Sequence, residues 1–165
     1  MSEVTDLRTR RLRLRAMTVA DTTRIVELYT DPRVHVHSPT GAPTVAQSRS
    51  RVRETVAAWN RDGIGHWVVE YDGRLAGVTG VRPVQLDGGT YWNVFYRFVP
   101  ETWGQGIASE ALRAALQAAR EHVPGRRFAV RTRPTNEDAI RLALAVGMTR
   151  APEMDSRGFI TLTGD

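Results

Sequence analysis

Residues 96–109 combine an apolar strand pattern, a glycine-rich turn and the start of a helix. The apolar, aromatic run ends at Pro100, and Gly104 and Gly106 lie in the turn that follows. Helix-forming residues then run from Ile107 to about residue 122. The first amides of a helix have no internal partner and carry the positive end of the helix dipole, and glycines leave the backbone open to a ligand. The segment therefore predicts a strand–turn–helix unit that binds a phosphate-bearing ligand.

This turn differs from two well-known nucleotide-binding loops. Neither Gly-Lys-Ser nor Gly-Lys-Thr is present, which excludes the loop of nucleoside triphosphatases. The spacing from Gly104 and Gly106 to Ser109 falls one residue short of a dinucleotide fingerprint. That fingerprint also needs an acid after the next strand, and the predicted strand over residues 126–133 ends in arginines. A tight turn without a ligand is the remaining alternative.

The rest of the chain alternates strand and helix patterns, with no linker or internal repeat. Capping-box spacings at Thr18–Asp21 and at Thr44–Gln47 predict two helices that end at about residues 29 and 61. Asp72-Gly73 predicts a hairpin between strands 66–71 and 74–81, and residues 86–89 predict a further turn. The other predicted elements are strands 11–16, 90–99, 128–132 and 159–162, and a helix from Asn136 to about residue 146.

This order predicts one mixed α/β (α+β) domain over residues 1–165. The strand–helix–strand unit from residue 91 to residue 132 indicates one parallel crossover among antiparallel pairs. The 165 residues suffice for one core, and 41% hydrophobic and 25% charged residues are typical of soluble proteins. No apolar run reaches the roughly 18 residues that a membrane span needs, no signal peptide is visible and no cysteine is present. We expect a cytoplasmic protein with no membrane partner.

The net charge of +5 comes from arginine alone, because all 23 basic residues are arginine. An arginine excess raises the alternative of nucleic-acid binding, since guanidinium groups bind phosphates. The arginines are spread from Arg8 to Arg157 with acids among them, which argues against a nucleic-acid-binding stripe. The pattern is typical of codon bias in a GC-rich genome. A positive field would still attract an anionic cofactor.

Four stretches, taken in order, resemble the GNAT acetyltransferase superfamily, and within it the branch that acetylates N-terminal amines of ribosomal proteins. The turn is similar to the acetyl-CoA loop Arg/Gln-x-x-Gly-x-Gly/Ala at its fourth and sixth positions, with Trp103 at the first. The stretch Ile107-Ala108-Ser109-Glu110-Ala111 resembles the helix start that follows this loop. Thr9-x-Arg11-Leu12-x-Leu14-Arg15 resembles the opening strand of the branch, and Asn136 followed by Gly147-Met148 resembles its asparagine-led helix.

The resemblance implies a twisted mixed sheet of about seven strands, flanked by about four helices and splayed between its fourth and fifth strands. On this chain those strands are residues 91–99 and 127–133. Acetyl-CoA, the co-substrate of the family, would enter the splay. Backbone groups at Phe98 and Val99 would pair with its pantetheine arm, and Asn136 would contact that arm from the other side or act only as a helix cap. The residues implied to hold the pyrophosphate are Gly104, Gln105, Gly106, Ile107 and Ala108.

The activity implied is transfer of an acetyl group from acetyl-CoA to a primary amine, by direct attack in a ternary complex. The usual proton-handling positions carry Ala139, Ala143 and Asn93, so the catalytic residues are not identified. At pH 7 an α-amine with a pKa of about 7.8 is on the order of 14% neutral, against about 0.04% for a lysine side chain. We therefore expect an α-amine of a protein N-terminus or of a small molecule as acceptor. The alternative is a non-catalytic acyl-CoA-binding domain with a regulatory or interaction role.

Several side chains are candidates to replace the missing groups. His35 and His37 lie in the loop that borders the acceptor site in the family, although two solvated loop histidines are the favoured interpretation. Tyr96 is a candidate proton donor, with packing as its alternative role. Three tryptophans could line an acceptor pocket, although packing in the core is the simpler role for each: Trp59, Trp67 and Trp92. No metal site is indicated, because His35-x-His37 lacks partners at ligand spacing. The resemblance also allows a homodimer.

Overall fold

An eight-stranded, mostly antiparallel sheet organises the computed structural model, which describes residues 3–165. The strand order is β1-β2-β3-β4-β5-β6-β8-β7. Among the strands of residues 3–165, only β5 and β6 pair in parallel. The strands are β1 (Asp6–Arg8), β2 (Leu12–Ala16), β3 (His66–Tyr71), β4 (Arg74–Leu86), β5 (Gly89–Phe98), β6 (Phe128–Thr132), β7 (Thr149–Arg150) and β8 (Ile160–Gly164).

Four α-helices cover the sheet, as expected. They are α1 (Thr22–Thr30), α2 (Val45–Asp62), α3 (Ile107–His122) and α4 (Glu137–Ala145). Both predicted capping boxes are present: Thr44 and Gln47 bond reciprocally before α2, and Thr18 and Asp21 enclose a short 3-10 turn that leads into α1. Within residues 3–165, no helix has the length and hydropathy of a membrane-spanning segment.

The two faces of the sheet carry separate apolar cores. On one face, side chains of α1 and α2 pack against Val68, Val78 and Phe95. On the other face, α3 and α4 pack against Val94 and Phe98. Because side chains alternate along a strand, odd-numbered residues near the end of β5 face α1 and α2 and even-numbered residues face α3 and α4.

The sheet opens between β5 and β6. The two strands pair only at Trp92↔Phe128 and Asn93↔Ala129, at the start of each strand. Beyond Asn93, β5 continues along β4 while β6 pairs with β8. The ends of β5 and β6 therefore diverge, which confirms the splay predicted between the fourth and fifth strands.

The structure differs from the predicted elements in three places. The short strands β1 and β7 were not predicted, so the sheet has eight strands and not about seven. The strand predicted to end at residue 81 continues to Leu86, and the turn narrows to Asp87-Gly88. Pro83 is tolerated there because β3 pairs with β4 only as far as Gly80. Pro83 has no amide hydrogen, and its nitrogen faces the side of β4 that no strand of the described residues pairs with at this point.

Candidate active site

The turn before α3 has the backbone conformation that its glycines predict. Gly104 and Gly106 have φ angles of 74° and 73°, in the left-handed region that favours glycine. The hydrogen-bond ladder of α3 begins with the Glu110 amide, which donates to the Gly106 carbonyl at 3.1 Å. The amides of residues 107–109 precede this ladder and point out of the helix end. The turn and the helix together present a row of backbone donors.

Arg11, the residue just before β2, fixes this turn. Its Nε donates to Glu110 Oε2 at 2.7 Å, and its Nη1 donates to the Gln105 carbonyl at 3.0 Å. Thr9 donates its hydroxyl to the same carboxylate. Burial raises the pKa of Glu110, but the hydrogen bonds from Thr9 and Arg11 outweigh burial and hold that pKa below its ordinary value. The ion pair therefore fixes the turn against the sheet.

The hydrogen bonds between β4 and β5 determine which residues of β5 direct their backbone groups toward the splay. The Val99 amide donates to the Ala76 carbonyl on the β4 side at 2.9 Å, and the Val99 carbonyl accepts from the amide and the hydroxyl of Thr102. Because backbone groups alternate sides along a strand, Phe98 and Tyr96 direct theirs toward the splay. Val99 was expected to pair with a ligand, but both of its backbone groups already have partners, so this expectation is corrected. Phe98 is then the one of the two expected residues whose backbone groups face the splay.

The exposed indole of Trp103 covers this edge. Its Nε1 donates to the Phe98 carbonyl at 3.1 Å, and 53% of the residue is accessible to solvent. The Phe98 side chain is buried, as expected for a core residue. A ligand that pairs with the Phe98 carbonyl must therefore displace the indole.

Asn136 and Tyr96 meet at the first turn of α4, on the opposite side of the splay. Asn136 Oδ1 accepts from the Ala139 amide at 3.2 Å, so the side chain is a helix cap. The Tyr96 hydroxyl donates to the Ala139 carbonyl at 2.9 Å, and burial raises the pKa of Tyr96. Ala139 and Ala143 are both buried, and the Tyr96 hydroxyl lies beside the first of them.

The two candidate histidines have different surroundings. His35 is only 8% exposed, so its interpretation as a solvated loop histidine is wrong. Its Nε2 lies 2.7 Å from the Tyr29 carbonyl and therefore carries the proton, while Nδ1 accepts from Arg97 Nη1 at 2.7 Å. Burial, and then the charge of Arg97, lower the pKa of His35. His37 is exposed, as expected, and its Nδ1 lies 3.2 Å from Thr135 Oγ1, just before α4.

The tryptophans considered as pocket walls lie in the core. Trp59 and Trp67 pack edge to face with centroids 5.3 Å apart, and their indoles donate to the carbonyls of His66 and Val4. Trp92 is also buried in the same core. Packing is therefore the role that the structure gives to all three.

A cavity of about 670 Å³ lies on the other face of the sheet, between α2 and the β4–β5 ribbon. The residues at its wall that bear on chemistry are Tyr29, Arg51, His66, Arg82, Phe95 and Arg97. Sequence reasoning missed these residues, because arginines are spread along the whole chain and none of the six belongs to a motif. Arg97 lies next to Tyr96 on β5, so one strand borders both the cavity and the splay.

Comparisons with known proteins agree on one family. The sequence model described as "Acetyltransferase (GNAT) domain" matches residues 11–149. The uncharacterized protein YkkB of Bacillus subtilis (strain 168) is 31% identical over 156 residues, which are 90% of this chain and 87% of that protein. An acetyltransferase from Agrobacterium tumefaciens str. C58 has a TM-score of 0.83 at 20% identity, over 97% of this chain and 94% of that one. RimL, a ribosomal L7/L12 α-N-protein acetyltransferase solved in complex with coenzyme A, has a TM-score of 0.76 at 17% identity, over 94% of each chain.

Proposed function

This chain belongs to the GNAT acetyltransferase family, and we propose on that premise that it is an N-acetyltransferase acting through one domain. It transfers the acetyl group of acetyl-CoA to a primary amine, either the α-amine of a protein N-terminus or that of a small molecule. The observation that carries this proposal is the array of backbone donors at the start of α3, placed at the open end of the splay beside Phe98.

The pyrophosphate of acetyl-CoA binds to the turn before α3 and to the first amides of the helix, at residues 104–108. The positive end of the helix dipole attracts the anion, and Arg11 holds the turn in place. A Cβ added at Gly106 would meet only Arg11 Nη2, at 3.5 Å, so the space above the turn is open to a ligand.

The pantetheine arm lies along β5 as an added strand. It pairs with backbone groups of Tyr96 and Phe98, and the Trp103 indole moves away from the Phe98 carbonyl as the arm enters. Asn136 keeps its role as helix cap through Oδ1, while its Nδ2 contacts the arm from the α4 side. This geometry brings the thioester into the splay near the Tyr96 hydroxyl.

The transfer is direct. The amine nitrogen forms a bond to the acyl carbon, the carbon–sulfur bond breaks, the thiolate leaves, and one proton passes from the amine to water while the thiolate is protonated. Alignment of the two reactants supplies on the order of 7–11 kcal/mol. A free thiol has a pKa of about 8.5, so its thiolate leaves without strong help. The buried Ala139 and Ala143 are consistent with a site that works mainly by positioning.

A thiol-release assay with acetyl-CoA tests the proposal. The acceptors are α-amine peptides, amino acids, polyamines and aminoglycosides at equal concentration. We expect release of CoA with at least one α-amine class, and a mass increase of one acetyl group on that acceptor. Tight binding of acetyl-CoA with no transfer to any amine would instead favour the non-catalytic acyl-CoA-binding domain.

A further inference from the structure

The cavity on the α1–α2 face contains arginine side chains that have no carboxylate partner. Arg97 is half-buried, and its Nη1 lies 2.7 Å from His35 Nδ1, 2.8 Å from His35 Nε2 and 3.3 Å from the Val34 carbonyl, with no carboxylate among its partners in residues 3–165. Across residues 3–165, the side chains of Arg51 and Arg82 make no hydrogen bond or ion pair with another residue. Arg61, in the same wall, differs because its guanidinium bonds to Asp62 at 2.6 Å.

These three arginines converge on one region. All three lie close enough to the Tyr29 hydroxyl for their charges to act on it: burial raises the pKa of Tyr29 to about 12, and the charges of Arg97, Arg51 and Arg82 oppose that rise. Glu54 is the one acid that the described part of the chain contributes to the cavity wall. The cavity therefore carries excess positive charge, and part of this charge lies on the half-buried side chain of Arg97.

His66 adds polar groups without partners to the same wall. The residue is 9% exposed, and neither Nδ1 nor Nε2 has a hydrogen-bond partner among the residues that the structure describes. Its ring stacks on Phe95 with centroids 4.9 Å apart and planes 9° apart. Gly80 permits this placement, because a Cβ there would lie 2.4 Å from the Cα of His66. A buried polar group without a partner costs about 1–3 kcal/mol, which a bound polar ligand would offset.

We propose that this cavity binds the amine acceptor and that the acceptor carries an oxyanion, a carboxylate or a phosphate, held by Arg51, Arg82 and Arg97. His66 then contacts a polar group of the acceptor next to the oxyanion. The inference rests on the proposed function, because it assigns the substrate class of the same transferase site.

The geometry links the cavity to the reaction. Phe95 and Arg97 point into the cavity, while the backbone of Tyr96 between them faces the splay. Strands in a sheet are roughly 5 Å apart, so a pantetheine arm added beside β5 lies about one strand spacing from the backbone that carries Arg97, and an acceptor held by the Arg97 side chain approaches it from the α1–α2 face. The positive cavity repels polyamines and aminoglycosides and favours acceptors that combine an α-amine with an acid.

Matched acceptor pairs test the proposal. Each pair differs only by a carboxylate against a carboxamide: an amino acid against its amide, and a peptide beginning Ser-Asp against one beginning Ser-Asn. Because the α-amine of an amino acid has a higher pKa than that of its amide, kcat/KM is referred to the concentration of neutral amine in each case. We expect the carboxylate member of one pair to have a value at least about tenfold higher, and the pair that shows it identifies the small-molecule or peptide source. Equal values within both pairs, with transfer intact, would overturn the proposal.

Variants locate the effect. Arg51→Gln and Arg82→Gln change exposed side chains and should leave the fold intact, and each should reduce the carboxylate preference by about tenfold. Arg53→Gln is the matched control, because Arg53 is exposed on the same helix as Arg51 and is not part of the cavity wall. A preference that survives in both Arg51→Gln and Arg82→Gln would contradict the proposal.

Direct binding separates this inference from the transferase activity. Inorganic phosphate should raise the Tm of the wild type and of Arg53→Gln, and raise it less in Arg51→Gln and Arg82→Gln. That result, with no transfer to any amine, would support the oxyanion site while contradicting the proposed activity. A phosphate effect equal in all four proteins would contradict the oxyanion site even if transfer occurs.

Discussion

The Tyr96 hydroxyl donates a hydrogen bond to the carbonyl of Ala139, 2.9 Å away, and this bond joins β5 to α4 across the opening in the sheet. Away from the short pairing at Trp92 and Asn93, the two halves of the sheet diverge at this level. The bond therefore sets how far α4 lies from the edge of β5. The width of the proposed acetyl-CoA site depends on it.

Replacement of Tyr96 by phenylalanine should lower the free energy of unfolding by about 1 kcal/mol, because one buried hydrogen bond is lost. We expect kcat to fall by less than about 10²-fold, since a thiolate of pKa about 8.5 leaves without strong acid catalysis. Chemical denaturation and steady-state kinetics measure the two effects. A loss of 10²- to 10⁴-fold in kcat at unchanged KM would instead identify Tyr96 as the general acid.

Gly106→Val should abolish tight binding of acetyl-CoA, because a branched side chain would occupy the space above the turn. At 100 times its Kd, acetyl-CoA should add about 2.7 kcal/mol of apparent stability to the wild type and little to the variant. Gly125→Val is the matched control: Gly125 has a φ of 72°, and a Cβ there would meet nothing within 4 Å. Both variants carry the same backbone strain, roughly 1–2 kcal/mol, and only Gly106→Val should lose binding. Equal acetyl-CoA binding by both would place the phosphate elsewhere.

Trp103 should report ligand binding by its fluorescence. Its indole is half exposed, whereas Trp59, Trp67 and Trp92 are buried. Displacement from the Phe98 carbonyl by acetyl-CoA should therefore change the emission of this one tryptophan. Trp103→Phe should bind acetyl-CoA and give no emission change. An undiminished signal in that variant would show that another tryptophan reports the binding, and an unchanged emission of the wild type on binding would contradict the displacement of the indole.

The buried histidines should make stability fall in mild acid. Burial, and then the charge of Arg82, lower the pKa of His66 to about 3, below the roughly 6.5 of an unfolded chain. The unfolded state therefore binds the extra proton first, and stability falls as pH drops from about 6.5 toward 3, by at most about 1.4 kcal/mol per pH unit for this group. His66→Phe, which keeps the stack on Phe95, should flatten the fall between pH 7 and pH 5. His37→Ala, an exposed control, should not.

The transfer rate should follow the neutral fraction of the acceptor amine. With Ala139, Ala143 and Asn93 at the usual proton-handling positions, the rate should rise with pH to the pKa of the amine and then level. His37→Ala should cost far less than the 10²- to 10⁴-fold typical of a lost general base. His35→Ala should lower stability, because it removes a buried partner of Arg97. A rate that already levels near pH 6.5, together with a collapse in a histidine variant, would identify that histidine as the base.

Local signals predicted most of the elements correctly. The capping boxes at Thr18 and Thr44, the Asp72-Gly73 hairpin and the glycines before α3 each act within a few residues, so the sequence alone displays them. Strands β1 and β7 are too short to show a pattern and form only because β2 and β8 offer an edge.

The parts of the site that sequence reasoning missed depend on distant partners. The Val99 amide is occupied because it donates to the carbonyl of Ala76 on β4, a residue distant in the sequence. The burial of His35 depends on the Tyr29 carbonyl and on Arg97. The arginines of the cavity come from α2, β4 and β5, and only the fold brings them to one wall, which no spacing in the chain reveals.

The opening between β5 and β6 leaves backbone groups of Tyr96 and Phe98 without a partner strand among residues 3–165, in the middle of a sheet, where a strand of another molecule could add to them. The Trp103 indole donates a hydrogen bond to the Phe98 carbonyl, and this bond makes it harder for a strand of another molecule to pair with this edge. The co-substrate, lying along the same edge, would act as a chemical chaperone for its own enzyme. Protein folded without it is therefore the form most exposed to aggregation.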